Sequence, residues 1–206
     1  MKTTITMATT LVAASVSAAQ VVSFDKDKTG AAPVDWTCGV TGRGTARWTV
    51  EPHPDATGAP KVLVQSGTAD FPWCVRTGTA IQDGFVEVKF KPLRGREDRA
   101  GGVVWRWKDG NNYYVARANA LENNVSLYYT ERGSRRTLQY VDAPVAANAW
   151  HALRVEFKQT GIRVLFDGTA VIEFDDSHIA GPGAVGVWTK ADSVTAFDDF
   201  SFGAVP

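Results

Sequence analysis

Sulfur and imidazole are scarce in this sequence. It holds two cysteines, two methionines and three histidines in 206 residues. The histidines, His53, His151 and His178, are scattered, none at a spacing that would clasp a metal. A structural zinc site needs four nitrogen or sulfur ligands, so zinc is not expected. An excess of one charge is also missing, with 22 Lys and Arg against 22 Asp and Glu. Nucleic acid and anionic membrane surfaces call for a basic footprint, and neither is an expected partner. No apolar run reaches the about 20 residues that span a bilayer, so no membrane insertion is expected. Glycine-rich phosphate loops, nucleophile elbows and cysteine-based nucleophiles are absent.

Met1-Lys-Thr-Thr-Ile-Thr-Met7 leads into the short apolar stretch Ala8–Val16 and then Ser17-Ala-Ala19. A positive start, a brief apolar core and small residues before a cut have the form of a secretory signal. The expectation is a signal peptide over 1–19 and a mature chain over 20–206, secreted or periplasmic. Residues 20–206 suit one domain. Cys38 and Cys74 form an even pair, which in an oxidising compartment is expected to close a disulfide. On the chain-entropy picture that bridge contributes about 3–4 kcal/mol.

The rest of the chain is written in short strands. Phe85-Val-Glu-Val-Lys-Phe-Lys91 alternates, with Val86, Val88 and Phe90 apolar, the period of a half-buried strand. His151, Leu153, Val155 and Phe157 likewise oppose Ala152, Arg154, Glu156 and Lys158. Turn signals at Asp109-Gly110, Arg132-Gly133, Thr160-Gly161 and Asp167-Gly168 join the strands into hairpins. Asp70-Phe-Pro-Trp-Cys-Val75 reads as a proline-broken loop or an edge strand. No helix of convincing length follows the first residues. The expected fold is all-β, an antiparallel two-sheet jelly-roll sandwich.

Residues Gly101–Tyr129 stand out as a three-strand meander that mixes rings with bulky polar groups. Period-2 sorting puts Val103, Trp105 and Trp107 on one side and Val104, Arg106 and Lys108 on the other. It sets Tyr113, Val115, Arg117 and Asn119 against Tyr114, Ala116 and Ala118, and Ser126, Tyr128 and Thr130 against Val125, Leu127 and Tyr129. One face therefore gathers Arg106, Tyr113, Arg117, Asn119 and Tyr128, with Trp188 and Lys190 expected to border the same groove. Rings stack on the apolar faces of sugars while Arg and Asn read hydroxyls in a concave site, so carbohydrate is the expected partner. Taken singly, each ring is better explained by core packing and the arginines equally well by cross-strand pairing; as a set they favour a ligand face.

The motifs Trp150-His-Ala-Leu-Arg-Val-Glu-Phe157, Ile162-Arg-Val-Leu-Phe-Asp-Gly168, Gly183-Ala-Val-Gly-Val-Trp188 and Ala196-Phe-Asp-Asp-Phe200 resemble the closing strands of laminin-G and concanavalin A-like jelly rolls. Together with Gly101-Gly-Val-Val-Trp-Arg106 and Asn111-Asn-Tyr-Tyr-Val-Ala-Arg117, the chain resembles secreted bacterial proteins of the 3-keto-disaccharide hydrolase domain type, which are glycosidase-16-like. The resemblance runs from Phe85 to Phe202 and is weak before that. It implies a jelly roll holding a carbohydrate on its concave sheet. Glycosidase-16 enzymes carry Glu-x-Asp-x-Glu or Glu-x-Asp-x-x-Glu on one strand, so that period 2 points the carboxylates into the cleft. The nearest stretch here, Glu173-Phe-Asp-Asp-Ser177, lacks the third acid.

Chemistry on a 3-keto sugar asks for less: one base and a cation to steady an enolate. Glu122 and His151 are candidate bases, and Arg106, Arg117 and Lys190 candidate cations. Three function classes follow: a hydrolase or lyase of 3-keto-glycosides, a lectin-like binding module, and a structural or adhesion domain at the cell surface. No cofactor is expected, and calcium is the one candidate structural ion. Concanavalin-like domains often tie their first and last strands with it, and Asp25 and Asp199 (or Asp198) are suitable hard ligands. The Asp198-Asp199 pair is equally explained as edge protection.

Overall fold

The computed structural model describes residues 19–57 and 60–204. The expected signal segment lies outside the described residues except for Ala19. Fifteen strands make up the fold, and no helix occurs among the described residues. In chain order they are β1 (Gln20–Val22), β2 (Trp36–Thr45), β3 (Trp48–Pro52), β4 (Lys61–Gln65), β5 (Thr68–Arg76), β6 (Gly84–Arg94), β7 (Ala100–Asp109) and β8 (Asn112–Asn119). There follow β9 (Asn124–Glu131), β10 (Ser134–Asp142), β11 (His151–Lys158), β12 (Gly161–Phe166), β13 (Thr169–Asp175), β14 (Ala184–Trp188) and β15 (Val194–Gly203).

They build two antiparallel sheets. One runs β13-β12-β11-β6-β15-β4-β3, with β1 paired to β15; the other runs β10-β9-β8-β7-β14-β5-β2. Between them lies the core that the alternation foretold. Val86, Val88 and Phe90 from β6 and Leu153, Val155 and Phe157 from β11 meet Val103, Trp105, Tyr114, Ala116, Val125 and Leu127 from the facing sheet. Burying a large apolar side chain contributes about 1.5–3 kcal/mol, and this set is the main source of stability.

The expected disulfide joins Cys38 to Cys74, which sit directly opposite each other in β2 and β5. The proline-broken stretch is neither a loop nor an edge. β5 lies inside its sheet between β14 and β2. Its ladder with β14 covers only Trp73–Val75, so Pro72, which has no N–H to donate, falls just past the paired segment. The Pro72 carbonyl still accepts a hydrogen bond from the Thr189 amide (2.9 Å).

Candidate functional site

The outer face of the seven-stranded sheet carries a second apolar cluster: Trp73, Val75, Val104, Tyr113, Val115, Tyr128 and Trp188, flanked by Phe71 and Trp107. In β8 and β9 the strand period places Tyr113, Arg117 and Tyr128 on this face, as the sequence predicts. Tyr114, Ala116, Val125 and Leu127 go to the core. Trp188 is also here, back to back with Val185 and Val187.

β7 departs from the predicted sorting. Arg106 adopts a left-handed backbone (φ 46°), and the pairing with β8 slips between Trp105 and Asp109. Such a bulge shifts every later side chain to the opposite face. Trp107 therefore joins the outer cluster, with its ring centroid 5.1 Å from that of Trp73. Arg106 leaves the predicted site. Its guanidinium donates to the carbonyls of Gln159 (2.6 Å), Ile179 (3.3 Å) and Gln82 (3.3 Å) and lies over the Phe157 ring. It ties loops together at one end of the sandwich. Gly183 makes the bulge possible, because a Cβ there would sit 2.4 Å from the Arg106 carbonyl carbon.

The polar end of the strip is built on a residue that the sequence reading passed over, Asp98. It has no solvent exposure, and its Oδ2 accepts from Arg117 Nη1 (3.1 Å) and Lys190 Nζ (2.7 Å). Arg117 Nη2 also donates to Glu122 (2.6 Å) and to the Asn124 side-chain carbonyl (3.1 Å). The structure thus brings Arg117, Lys190 and Glu122 together around a carboxylate that was not foreseen. Asp192 fixes the Asp98 loop: its carboxylate accepts from the amides of Arg96 (2.7 Å), Glu97 (3.0 Å) and Asp98 (3.0 Å). Burial pushes the Asp192 pKa up, but those amide bonds outweigh it and hold the group below its ordinary value. Gly95 makes the turn into this loop at φ 149°, where a Cβ would strike the Asp98 carbonyl oxygen at 1.7 Å.

Glu122 keeps 44% of its side chain exposed. Burial raises its pKa, yet hydrogen bonds from Asn124 and Arg117 and the Arg117 charge bring it below the usual glutamate value. Asn119 is fully buried and caps its own turn, its side-chain Oδ1 accepting from the Leu121 amide (2.9 Å), while its Nδ2 finds no acceptor. Tyr113 and Trp188 have no exposure and Tyr128 only 5%, so they form the floor of the face. The Tyr113 hydroxyl, whose pKa burial drives up, lies 2.7 Å from Thr41 Oγ1. His151 is not with this group. Its Nδ1 faces Asp167 (2.8 Å) and its Nε2 the Ala146 carbonyl (3.0 Å), so neither nitrogen is free to take a proton from a substrate.

One further residue completes the strip. Arg135, on the edge strand β10, pairs in register with Thr130, which turns it onto the outer face. Its guanidinium lies 4.3 Å from the Tyr128 ring, 4.7 Å from Phe71 and 5.7 Å from Trp188. Burial lowers its pKa from the ordinary arginine value. Counting from the Arg132-Gly133 turn would have placed it opposite Thr130.

Two cavities open at the ends of the strip. One of about 500 Å³ is lined by Phe71, Lys190, Arg43, Asp70 and Glu97. The other, of about 400 Å³, is lined by Trp107, Thr37, Thr79, Arg76 and Lys108. A third cavity of about 550 Å³ lies on the opposite sheet beside Phe174. Of its charges, Arg163 pairs with both Glu156 and Glu173, and Lys158 and Asp175 line it as well.

The metal candidates stand apart. The Asp25 carboxylate accepts from the Lys61 amide (3.2 Å), and Lys61 Nζ sits on the carbonyls of Asp25 and Asp27 (2.9 Å each). Asp199 pairs with Lys89 (2.8 Å) and accepts from Thr57 (2.9 Å). Among the described residues no three His, Cys, Asp or Glu side chains are grouped to hold a metal ion.

No family model matches the sequence, and neither does any curated protein. Solved structures do match in shape. A carbohydrate-binding module of Bacillus subtilis, CBM66, superposes with a TM-score of 0.66 at 21% identity, over 82% of this chain and 96% of that one. A Bacillus licheniformis β-glucanase gives 0.61 at 14% identity, over 91% and 98%. A prokaryotic β-1,3-1,4-glucanase from a mouse hindgut metagenome gives 0.59 at 13% identity, over 90% and 98%. With these neighbours and its two packed antiparallel sheets, the protein has the concanavalin A-like jelly-roll fold.

Proposed function

We propose that the protein is an exported carbohydrate-binding domain, with its ligand lying along β5 and β14 on the outer face of the seven-stranded sheet. The observation that carries this is the aromatic strip that opens at both ends into cavities, with Phe71 half-buried at one and Trp107 half-buried at the other. Half-exposed rings beside a few fixed polar groups suit the apolar and hydroxyl-bearing sides of a sugar. The neighbours described as a carbohydrate-binding module and glucanases lend support through the shared architecture. The disulfide fits an oxidising compartment, and mass spectrometry of exported protein should find its N-terminus at Ala19 or Gln20. A glycan array followed by calorimetry tests binding. Trp107→Ala should weaken the best ligand about tenfold, and an array with no bound glycan would end this reading.

A second reading, action on 3-keto-glycosides, draws on the half-exposed Glu122 carboxylate beside the Arg117 cation. Glu122 would take the C2 proton next to the ketone, Lys190 or Arg117 would steady the enolate, and its collapse would expel the glycosidic oxygen, which takes that proton back from Glu122 and leaves an enone to which water adds. The depressed pKa of Glu122 makes it a weak base for this task. Release of free sugar from a 3-keto-glucoside, lost in Glu122→Gln, would establish this second reading; no release would remove it.

A further inference from the structure

We propose that the saccharide bound on this face is acidic and that Arg135 reads its carboxylate, an inference that rests on the binding reading above and narrows it. Three cations, Arg117, Lys190 and Arg135, surround one end of the aromatic strip, and two of them are already matched. Asp98 takes Arg117 and Lys190, and Glu122 takes Arg117 again. Arg135 is held instead by the rings of Tyr128, Phe71 and Trp188, and its buried Nη1 has no hydrogen-bond partner.

Ring faces attract a cation, but offer its N–H groups no lone pair. Arg135 is partly exposed, and the one guanidinium nitrogen withdrawn from water, Nη1, is costly to leave without an acceptor. It is a prepared site for a planar anion, because a carboxylate matches the arginine fork in a way that a hydroxyl does not. Two further buried donors of the same cluster lack acceptors, Arg117 Nε and Asn119 Nδ2, while Asp98 Oδ1 is a buried acceptor suited to a sugar hydroxyl and not to the carboxylate. The acidic groups on the adjoining cavity do not cancel this preference. Asp70 is engaged by Arg43 (3.6 Å), and Glu97 is exposed, where water and salt screen it.

The test uses the whole mature chain and pairs of ligands that differ only in charge. Trisaccharides of galacturonate, glucuronate and mannuronate are compared by calorimetry with their methyl esters, alongside the neutral and sulfated glycans of the array. At least one acid is expected to bind ten times or more tighter than its ester, with an advantage that shrinks as salt rises. Arg135→Gln should bring that ratio close to one and Arg135→Lys should leave part of it, with thermal melting confirming that each variant folds. Equal binding of acid and ester, or capture of neutral glycans alone, overturns this inference and leaves the binding reading standing. Selection of sulfated glycans over uronates overturns the assignment to a carboxylate, and a ratio unchanged in Arg135→Gln overturns the assignment to Arg135. Failure to bind any glycan removes both.

Discussion

The two sheets present opposite kinds of outer surface, although both follow the same alternation. On the eight-stranded sheet the outward residues of β6, β11, β12 and β13 are mostly charges that neutralise each other, beside a small apolar patch of Val62, Val64 and Ala196 on β4 and β15. Arg154 bridges Glu87 (3.0 Å) and Glu156 (2.9 Å) and covers Phe85, while Arg163 sits between Glu156 and Glu173. On the seven-stranded sheet the outward residues are rings that exclude water, with ionic groups buried at one end. The charges of the first surface are matched, in ion pairs partly open to solvent that contribute about 0–1 kcal/mol each. The second holds donors and acceptors without partners, the condition of a surface that expects something else.

Removing Asp98 breaks the comparison most severely. Asp98→Ala strands Arg117 and Lys190 without their buried counter-charge, and should cost about 3–5 kcal/mol in urea unfolding. Next comes the link behind the same face. Reducing Cys38–Cys74, or replacing both with alanine, should lower stability by about 3–4 kcal/mol, read as a fall in the denaturation midpoint with little change in cooperativity. A pH series gives a smaller effect. Asp192 and Glu122 have folded-state pKa values below their unfolded ones, so they bind fewer protons when folded. Their contribution is fully present above the unfolded values, near pH 4–5, and is lost as pH falls through the folded values. Stability should therefore drop with acid, and the drop should be shallower in Asp192→Asn. Smallest of all, Arg163→Ala on the opposite sheet should change stability by under about 1 kcal/mol and leave sugar binding untouched. A larger effect there would erase the contrast between the surfaces.

Much of the fold was legible because strand period is a local signal. Val86, Val88, Phe90, Leu153, Val155 and Phe157 announce their direction through their immediate neighbours, and all six are in the core. The face of β8 and β9 was legible for the same reason. Reading failed where one residue breaks the count. The left-handed turn at Arg106 exchanges the sides of Arg106 and Trp107, and nothing in the local composition marks it, since the close approach that accommodates it is made by the distant Gly183. Asp98 and Arg135 were missed for different reasons. Asp98 lies in a charged stretch that resembles a solvated loop, and its burial rests on distant partners, Arg117 of β8 and Lys190 just after β14. Arg135 needed a register, and its significance depends on Phe71, which comes from a strand that the proline disguised.

The three amides gathered by Asp192 have a consequence for anyone who rebuilds this domain. The segment 95–98 takes its shape from a carboxylate in the segment after β14, nearly a hundred positions away in the chain. Neither loop is therefore a portable module. A graft of one onto a related scaffold without the other would carry the letters of the site and lose its grammar, and chimeras should be cut so that both loops come from the same parent.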